Sequence, residues 1–320
     1  MKRLSLGDSG AEVSALCLGC MYFGTRVDEQ TAFRLLDRYF EAGGRFLDTS
    51  NNYAFWVDGG EGGESESLLG RWLEQRGNRD EVFLATKVGA NPSVAGGGLE
   101  DAEGLSAGAI RRAVDDSLRR LGSDYIDLYY AHVDDRATAL EETLTGFGEL
   151  VSAGKVKHLG CSNTTAWRTE RARRLAQAQG VAKYCCVQQR HSYLRPRPGA
   201  DLGVQVAAGD ELLDYCAANE DVALLAYSPL LGGAFTRTDR PLPEEYAGPD
   251  SDARLTALHE VANATGATPN QVVLAWLHAS APAAIPLIAA STEAQLAENL
   301  AALDVQLQDG HLRHLSAAWA

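Results

Sequence analysis

Ile110-Arg-Arg-Ala-Val-Asp-Asp-Ser-Leu-Arg-Arg-Leu-Gly-Ser-Asp-Tyr-Ile-Asp-Leu-Tyr-Tyr-Ala-His132 carries a helix and a strand back to back. Ile110, Val114, Leu118 and Leu121 recur at helical spacing. Tyr125–His132 is an apolar run of strand length that ends on an ionisable residue. Working outward, the same step repeats in both directions. Downstream lie a helical pattern at Leu140, Leu144, Phe147 and Leu150, and strand candidates at Lys157–Cys161, Cys185–Gln189, Val222–Ser228 and Ala284–Ala289. Upstream lie candidates at Val82–Lys87, Arg45–Thr49 and Val13–Gly19. Ala32, Leu35, Leu36, Tyr39 and Phe40 form a helical stripe behind a possible Asp28 cap, and another runs from Pro269 through Val272, Val273, Trp276 and Leu277.

Eight strand–helix units predict an α/β fold, a (β/α)8 TIM barrel. A doubly wound dinucleotide domain would show a GxGxxG turn after its first strand, and none is there. Lys2–Leu6 and Glu12–Leu16, joined by Gly-Asp-Ser-Gly, predict an N-terminal β-hairpin closing the barrel bottom. No linker or low-complexity tract divides the chain, so residues 1–320 are expected to form a single domain. Three long loops, Ala54–Gly63, His191–Gly209 and Phe235–Ser251, each follow a strand and are expected at the C-terminal face, where barrel enzymes place their sites.

Composition bounds the function. The chain has 320 residues, 45% hydrophobic and 22% charged, which suits an ordinary globular protein and excludes a disordered or fibrous one. Its net charge of −14 disfavours nucleic acid and anionic lipid as partners. No apolar run approaches the length of a membrane span, and Met1–Gly10 lacks the apolar core of a secretory signal. Six cysteines in mostly apolar surroundings suggest buried thiols in a reducing compartment, so a cytoplasmic location is expected. Cys17 and Cys20 match CxxC by spacing, yet no second ligand pair accompanies them. His311 and His314 likewise lack further ligands, and no metal is expected.

Asp48, Lys87 and His132 end three neighbouring strand candidates, and Tyr53 follows Asp48 by five residues. A tyrosine beside an ammonium has its phenolate stabilised and its pKa lowered, and a carboxylate holds that lysine charged. A histidine can orient a carbonyl oxygen. Such a group polarises a carbonyl and delivers a proton, but cannot supply a hydride, so a cofactor must.

These residues lie in motifs that resemble the aldo-keto reductase superfamily. They are Leu6-Gly-Asp-Ser-Gly, Leu18-Gly-Cys-Met-Tyr-Phe-Gly24, Phe46-Leu-Asp-Thr-Ser with Tyr53, Arg79-Asp-Glu-Val-Phe-Leu-Ala-Thr-Lys87, and Leu121 to His132. Gly160-Cys-Ser-Asn163, Ala226-Tyr-Ser-Pro-Leu and Glu298-Asn-Leu follow, so the resemblance covers nearly the whole chain. It implies Tyr53 as general acid with Asp48, Lys87 and His132. It implies nicotinamide contacts from Ser162, Asn163 and Gln188, and a pyrophosphate loop starting at Ser228, Pro229 and Leu230; beside it, backbone donors around Gly232 can approach a phosphate closely, and Arg237 is either an added charge there or a plain surface arginine. Glu298 and Asn299 match the positions that contact adenine.

Departures qualify this. His191 stands where the family usually stacks a tyrosine on the nicotinamide, with Tyr193 as the alternative stacking residue. The segment Leu287–Asn299 lacks the Lys or Arg that typically binds the 2′-phosphate of NADP, leaving Ser291, Thr292 and Gln295 as neutral contacts. NADP(H) is expected, with NAD(H) open. Tyr22, Phe55 and Trp56 are candidates for the substrate wall, and the aromatic pair favours ring-bearing substrates. The small-molecule partner is therefore a carbonyl or alcohol of undefined identity. A dinucleotide-binding redox sensor with little turnover is the competing reading.

Overall fold

The computed structural model describes residues 1–57, 59–94 and 96–319. Two antiparallel strands, β1 (Arg3–Ser5) and β2 (Glu12–Ser14), form the N-terminal hairpin, with Leu4 opposite Val13. The next strand, β3 (Cys17–Gly19), belongs to the barrel. The single strand expected over Val13–Gly19 is thus two, because Ala15 and Leu16 must carry the chain from the hairpin into the barrel wall.

The alternation then runs α1 (Glu29–Glu41), β4 (Phe46–Asp48), α2 (Glu64–Arg76), β5 (Phe83–Val88), α3 (Ala107–Leu121), β6 (Ile126–Ala131), α4 (Leu140–Ser152) and β7 (Val156–Ser162). It continues with α5 (Ala166–Gln179), β8 (Tyr184–Arg190), α6 (Asp210–Ala218), β9 (Ala223–Tyr227), α7 (Pro249–Thr265), α8 (Pro269–Ala279), β10 (Ala284–Ile288), α9 (Glu293–Ala301) and α10 (Asp309–Ala317). Strands β3 to β10 pair in parallel in chain order, and β10 closes on β3 through Leu287–Cys17 and Ile288–Leu18. Local chemistry starts the helices. Asp28 accepts from the Thr31 amide at 3.0 Å to cap α1, and Thr268 with Gln271 forms a capping box ahead of Pro269 in α8.

Two apolar layers hold the barrel. The inner one joins Cys17, Phe46, Ala85, Leu128, Cys186, Leu225 and Ile285 from the strands to Leu6 and Val13 from the hairpin, which fill the N-terminal end. The outer one packs the helices on residues such as Leu84, Tyr129 and Leu159. Side chains alternate across a strand, so the position two beyond an inner core residue also faces the axis. Phe46 is followed by Asp48, Ala85 by Lys87, Leu128 by Tyr130 then His132, and Cys186 by Gln188. The polar residues are the top layer of the same interior.

The loops after β4, β8 and β9 leave from this C-terminal rim. Asp58, within the expected loop Ala54–Gly63, lies outside the described residues. The stretch expected as loop from Phe235 to Ser251 contains a short turn of helix at Glu244–Tyr246, and α7 begins at Pro249, where proline suits a first turn. Among the described residues, no helix is long and apolar enough to cross a membrane. All six cysteines are buried, unpaired thiols.

Candidate active site

Lys87 is fully buried at the end of β5, and each of its three donors has an acceptor. Nζ donates to Asp48 Oδ1 at 2.5 Å, to the Thr49 carbonyl at 2.7 Å and to the Tyr53 hydroxyl at 2.6 Å. Tyr53 turns its own proton to Asp48 Oδ1 at 3.3 Å, a long bond. Gln188 Nε2 donates to the other carboxylate oxygen, Asp48 Oδ2, at 2.8 Å. His132 meets Tyr53 edge to face, with ring centroids 5.8 Å apart. The four residues singled out from the sequence therefore form one cluster, built on β4, β5 and the turns that leave β4 and β6.

Burial decides the protonation here. It pushes the Tyr53 hydroxyl well above its ordinary range, and the Asp48 charge adds to the effect. This reverses the lowering expected from an adjacent ammonium: losing water disfavours the phenolate more than Lys87 favours it. Burial also lowers the Lys87 pKa, with Asp48 opposing that change. His132 is held well below its usual value by burial and then by the Lys87 charge. At neutral pH the site holds a protonated tyrosine and a neutral imidazole.

Supporting residues that sequence reading missed lie in Ser50-Asn51-Asn52. Ser50 Oγ stands 3.1 Å from His132 Nδ1 and donates to Asn52 Oδ1 at 2.7 Å, while Asn52 Nδ2 donates to the Ala90 carbonyl at 3.1 Å. Asn51 Nδ2 donates to Glu103 Oε1 at 2.7 Å, and the Gly89 amide reaches the same oxygen at 2.9 Å. These bonds stitch the turn carrying Tyr53 to the strand carrying Lys87. The available signal was three buried polar residues directly after a core strand.

The remaining candidates line the rim from β7 round to α9. Ser162, Asn163 and Gln188 are buried at the ends of β7 and β8. Asn163 adopts φ 52°, and its amide already has protein partners: Nδ2 donates to the His132 carbonyl at 3.0 Å, while Oδ1 accepts from the Tyr227 hydroxyl at 2.7 Å and the Val206 amide at 3.1 Å. His191 is buried just past β8 with its ring 5.8 Å from that of Trp276, and burial lowers its pKa to about 4. Tyr193, the alternative stacking residue, is turned into the core. Its hydroxyl donates to the Leu315 carbonyl at 3.0 Å and its ring packs edge-on against Trp276.

After β9 the backbone takes positive φ at Ser228 (53°), Leu231 (49°), Gly232 (71°) and Gly233 (94°). Left-handed residues of this kind shape backbone concavities that hold anions, and here they suit a pyrophosphate. Pro229 is buried and its carbonyl accepts from Ser192 Oγ at 2.6 Å, while Leu230 is half-buried. Arg237 is exposed and forked onto Asp239, at 3.0 Å from Nε and 2.5 Å from Nη2, so its charge is neutralised locally. Just ahead of α9, the Ser291 hydroxyl donates to Gln295 Oε1 at 3.0 Å. Glu298 Oε1 accepts from Thr268 Oγ1 at 2.7 Å, and Asn299 Nδ2 donates to the Ala289 carbonyl at 3.1 Å. Basic groups do come near this corner, from α1. Arg34 Nε lies 3.4 Å and Arg38 Nε 4.0 Å from Glu293. On the other side of the mouth, Phe55 and Trp56 pack edge to face at 5.1 Å, and the Arg26 guanidinium lies 4.6 Å from the Tyr22 ring centre.

Comparison with known proteins bears on the whole chain. The sequence model of the Aldo/keto reductase family matches residues 15–320. A norsolorinic acid reductase, stcV, of Emericella nidulans is 35% identical, covering 94% of this chain and 77% of that protein. An uncharacterised oxidoreductase, YrpG, of Bacillus subtilis is also 35% identical, covering 99% of this chain and 95% of the other. Among solved structures, the thermostable aldo-keto reductase Tm1743, crystallised with the inhibitor epalrestat, superposes with a TM-score of 0.78 at 27% identity over 99% of this chain and 100% of that one. With the barrel, its hairpin and this extent of likeness, the chain belongs to the aldo/keto reductase family.

Proposed function

We propose that the protein is an oxidoreductase that interconverts a carbonyl and an alcohol, using a nicotinamide dinucleotide, with Tyr53 as the proton-transferring residue. The observation that supports it most is Lys87 bonding both the Tyr53 hydroxyl and Asp48 in a buried site. When bound, a reduced nicotinamide supplies the hydride. Lys87 fills a lone pair of the Tyr53 oxygen, so the tyrosine proton is directed away from the lysine. Its present acceptor, Asp48, is distant at 3.3 Å, so a substrate oxygen in the mouth competes for it readily. Once the proton has left, Lys87 stabilises the phenolate at 2.6 Å, and Gln188 and Lys87 together keep Asp48 in place. His132 lies beside Tyr53 and orients the oxygen-bearing end of the substrate.

Ser162, Asn163, Gln188 and His191 border the place for a nicotinamide, and the turn from Ser228 to Gly233 suits the pyrophosphate. For the far end, NADP(H) is the proposed cofactor and NAD(H) the alternative, since Leu287–Asn299 has no basic residue while Arg34 and Arg38 approach Glu293. Phe55 and Trp56 favour ring-bearing substrates. An aryl-alcohol dehydrogenase [NADP(+)] of Phanerodontia chrysosporium, 29% identical over 96% of this chain, accords with that preference.

The test follows loss of reduced-cofactor absorbance with NADPH and NADH separately, across aryl ketones, cyclic ketones and short aldehydes. Turnover in the native protein that collapses in Tyr53→Phe is the expected result. Tight cofactor binding with equal, negligible turnover in both proteins would replace this reading with that of a dinucleotide sensor.

A further inference from the structure

Arg190, the last residue of β8, owes its place to the alternation of side chains along that strand. Cys186 packs in the inner layer and Gln188 stands above it against Asp48, so the next position facing the axis is Arg190. It pairs in register with Tyr227 of β9, two residues beyond inner Leu225. The Tyr227 hydroxyl donates to Asn163 Oδ1 at 2.7 Å; burial pushes its pKa up, and the Arg190 charge opposes that. The guanidinium is held without being neutralised. Nε donates to the Tyr246 hydroxyl at 2.9 Å and Nη1 to Gln205 Oε1 at 2.6 Å, with the Tyr246 ring centre 5.2 Å away. Backbone bonds fix the Gln205 segment: the Arg190 amide donates to the Val206 carbonyl at 3.2 Å, and the Ala208 amide to the Arg190 carbonyl at 2.9 Å. The buried arginines Arg168, Arg173 and Arg254 each meet an aspartate. Among the described residues Arg190 meets no carboxylate, and no acceptor reaches Nη2.

A half-buried cation without a counter-charge loses hydration and gains no ion pair in return. Its position is nonetheless fixed, and Nη2 with the spare hydrogen of Nη1 offers the paired donors that a carboxylate takes in a fork. We infer that Arg190 binds a carboxylate carried by the substrate, so that the preferred substrates are keto acids or aldehyde acids. This rests on the reductase reading above. Arg190 stands with Tyr227 and Asn163 beside the place proposed for the nicotinamide, where the reacting carbonyl must come. A pyrophosphate has its own place, in the turn from Ser228 to Gly233.

Carboxybenzaldehydes test this. The meta and para acids are each compared with their methyl ester, which keeps the ring and the electron withdrawal but not the charge. The native enzyme should prefer the better acid over its ester by roughly tenfold in kcat/KM, chiefly through KM. Added salt should erode that preference. Arg190→Gln should shrink it to within about twofold by raising KM for the acids and not for the esters, and Arg190→Lys should keep part of it. Calorimetry needs no turnover: the NADPH-loaded native protein should bind benzoate roughly tenfold more tightly than benzamide, and Arg190→Gln should bind the two alike. A preference near one in the native protein, or one unchanged in Arg190→Gln, would overturn the inference. So would an Arg190→Gln protein that loses NADPH affinity but keeps the preference, since the arginine would then serve the cofactor. If no carbonyl turns over, the reductase reading fails and the substrate class with it. The benzoate titration of the native protein then still decides whether a carboxylate binds, without a variant or activity.

Discussion

The two arcs of the barrel mouth are built by opposite means. From β4 to β6, charged and polar groups are buried and bonded to one another: Lys87 has all three partners, and Asp48 is held by Lys87 and Gln188. From β9 to α9, Ser228, Arg237 and Ser291 are exposed and Gln295 and Glu298 half-exposed, with Asn299 buried, and some of the bonds are local, as between Ser291 and Gln295 or Arg237 and Asp239. One arc is organised before any ligand arrives, and the other presents a polar surface to one. Pre-organisation serves proton transfer, where small errors in geometry are costly. A long, flexible dinucleotide tolerates adjustable contacts.

That contrast can be broken most directly at Tyr53. Tyr53→Phe should lower kcat by about 1000-fold. Cofactor affinity, followed by quenching of protein fluorescence, should change little. An equal loss of both would mean the arcs are not separable.

Removing one partner of the buried pair tests stability. Lys87→Met leaves Asp48 charged and buried, and should cost about 3–5 kcal/mol in denaturant unfolding. Ser291→Ala, on the open arc, should stay within about 0.5 kcal/mol. Comparable costs at the two positions would remove the distinction.

Acid should reveal the buried histidines next. His191 and His278 each have a pKa lowered by burial to about 4, so between that value and the unfolded value near 6.5 only the unfolded state takes up their protons. Stability therefore falls as pH drops through this window and levels off for these groups below about 4. The slope should approach at most about 1.4 kcal/mol per pH unit for each histidine. Denaturation midpoints in the His191→Gln protein, measured from pH 7 to 4, should show a shallower decline.

The smallest effect concerns Arg237. Asp239→Ala frees the guanidinium and should lower the KM for NADPH by roughly two- to fivefold at low salt, with less change at high salt. No change would place Arg237 outside the cofactor's reach.

The strands were legible because each is an apolar run with a sharp polar end, and the clustering of Asp48, Tyr53, Lys87 and His132 because ionisable residues at those ends break the core pattern. Where burial is achieved by other means, the pattern vanishes. In α5, the inward positions include Arg168 and Arg173, each paired with an aspartate from elsewhere, Asp134 and Asp221, beside small Ala172 and Ala176. No apolar stripe marks that helix. Tyr193 looked available for stacking, but its hydroxyl partner, Leu315, is 122 residues away, a pairing local sequence does not reveal. The Ser50–Asn52 bonds escaped notice for a similar reason. Their meaning depends on Ala90 and His132, which lie on other strands' ends.

The hairpin at the N-terminal end has a consequence for traffic. Leu6 and Val13 pack with the strand residues at that end, so among the described residues the interior faces the loops at the other. On the proposed function, cofactor and substrate would both enter from the loop face, so whichever sits deeper arrives first and departs last. A plug of two aliphatic side chains at the floor thereby imposes a queue at the ceiling, and the rhythm of turnover follows from how fast the deeper guest can leave.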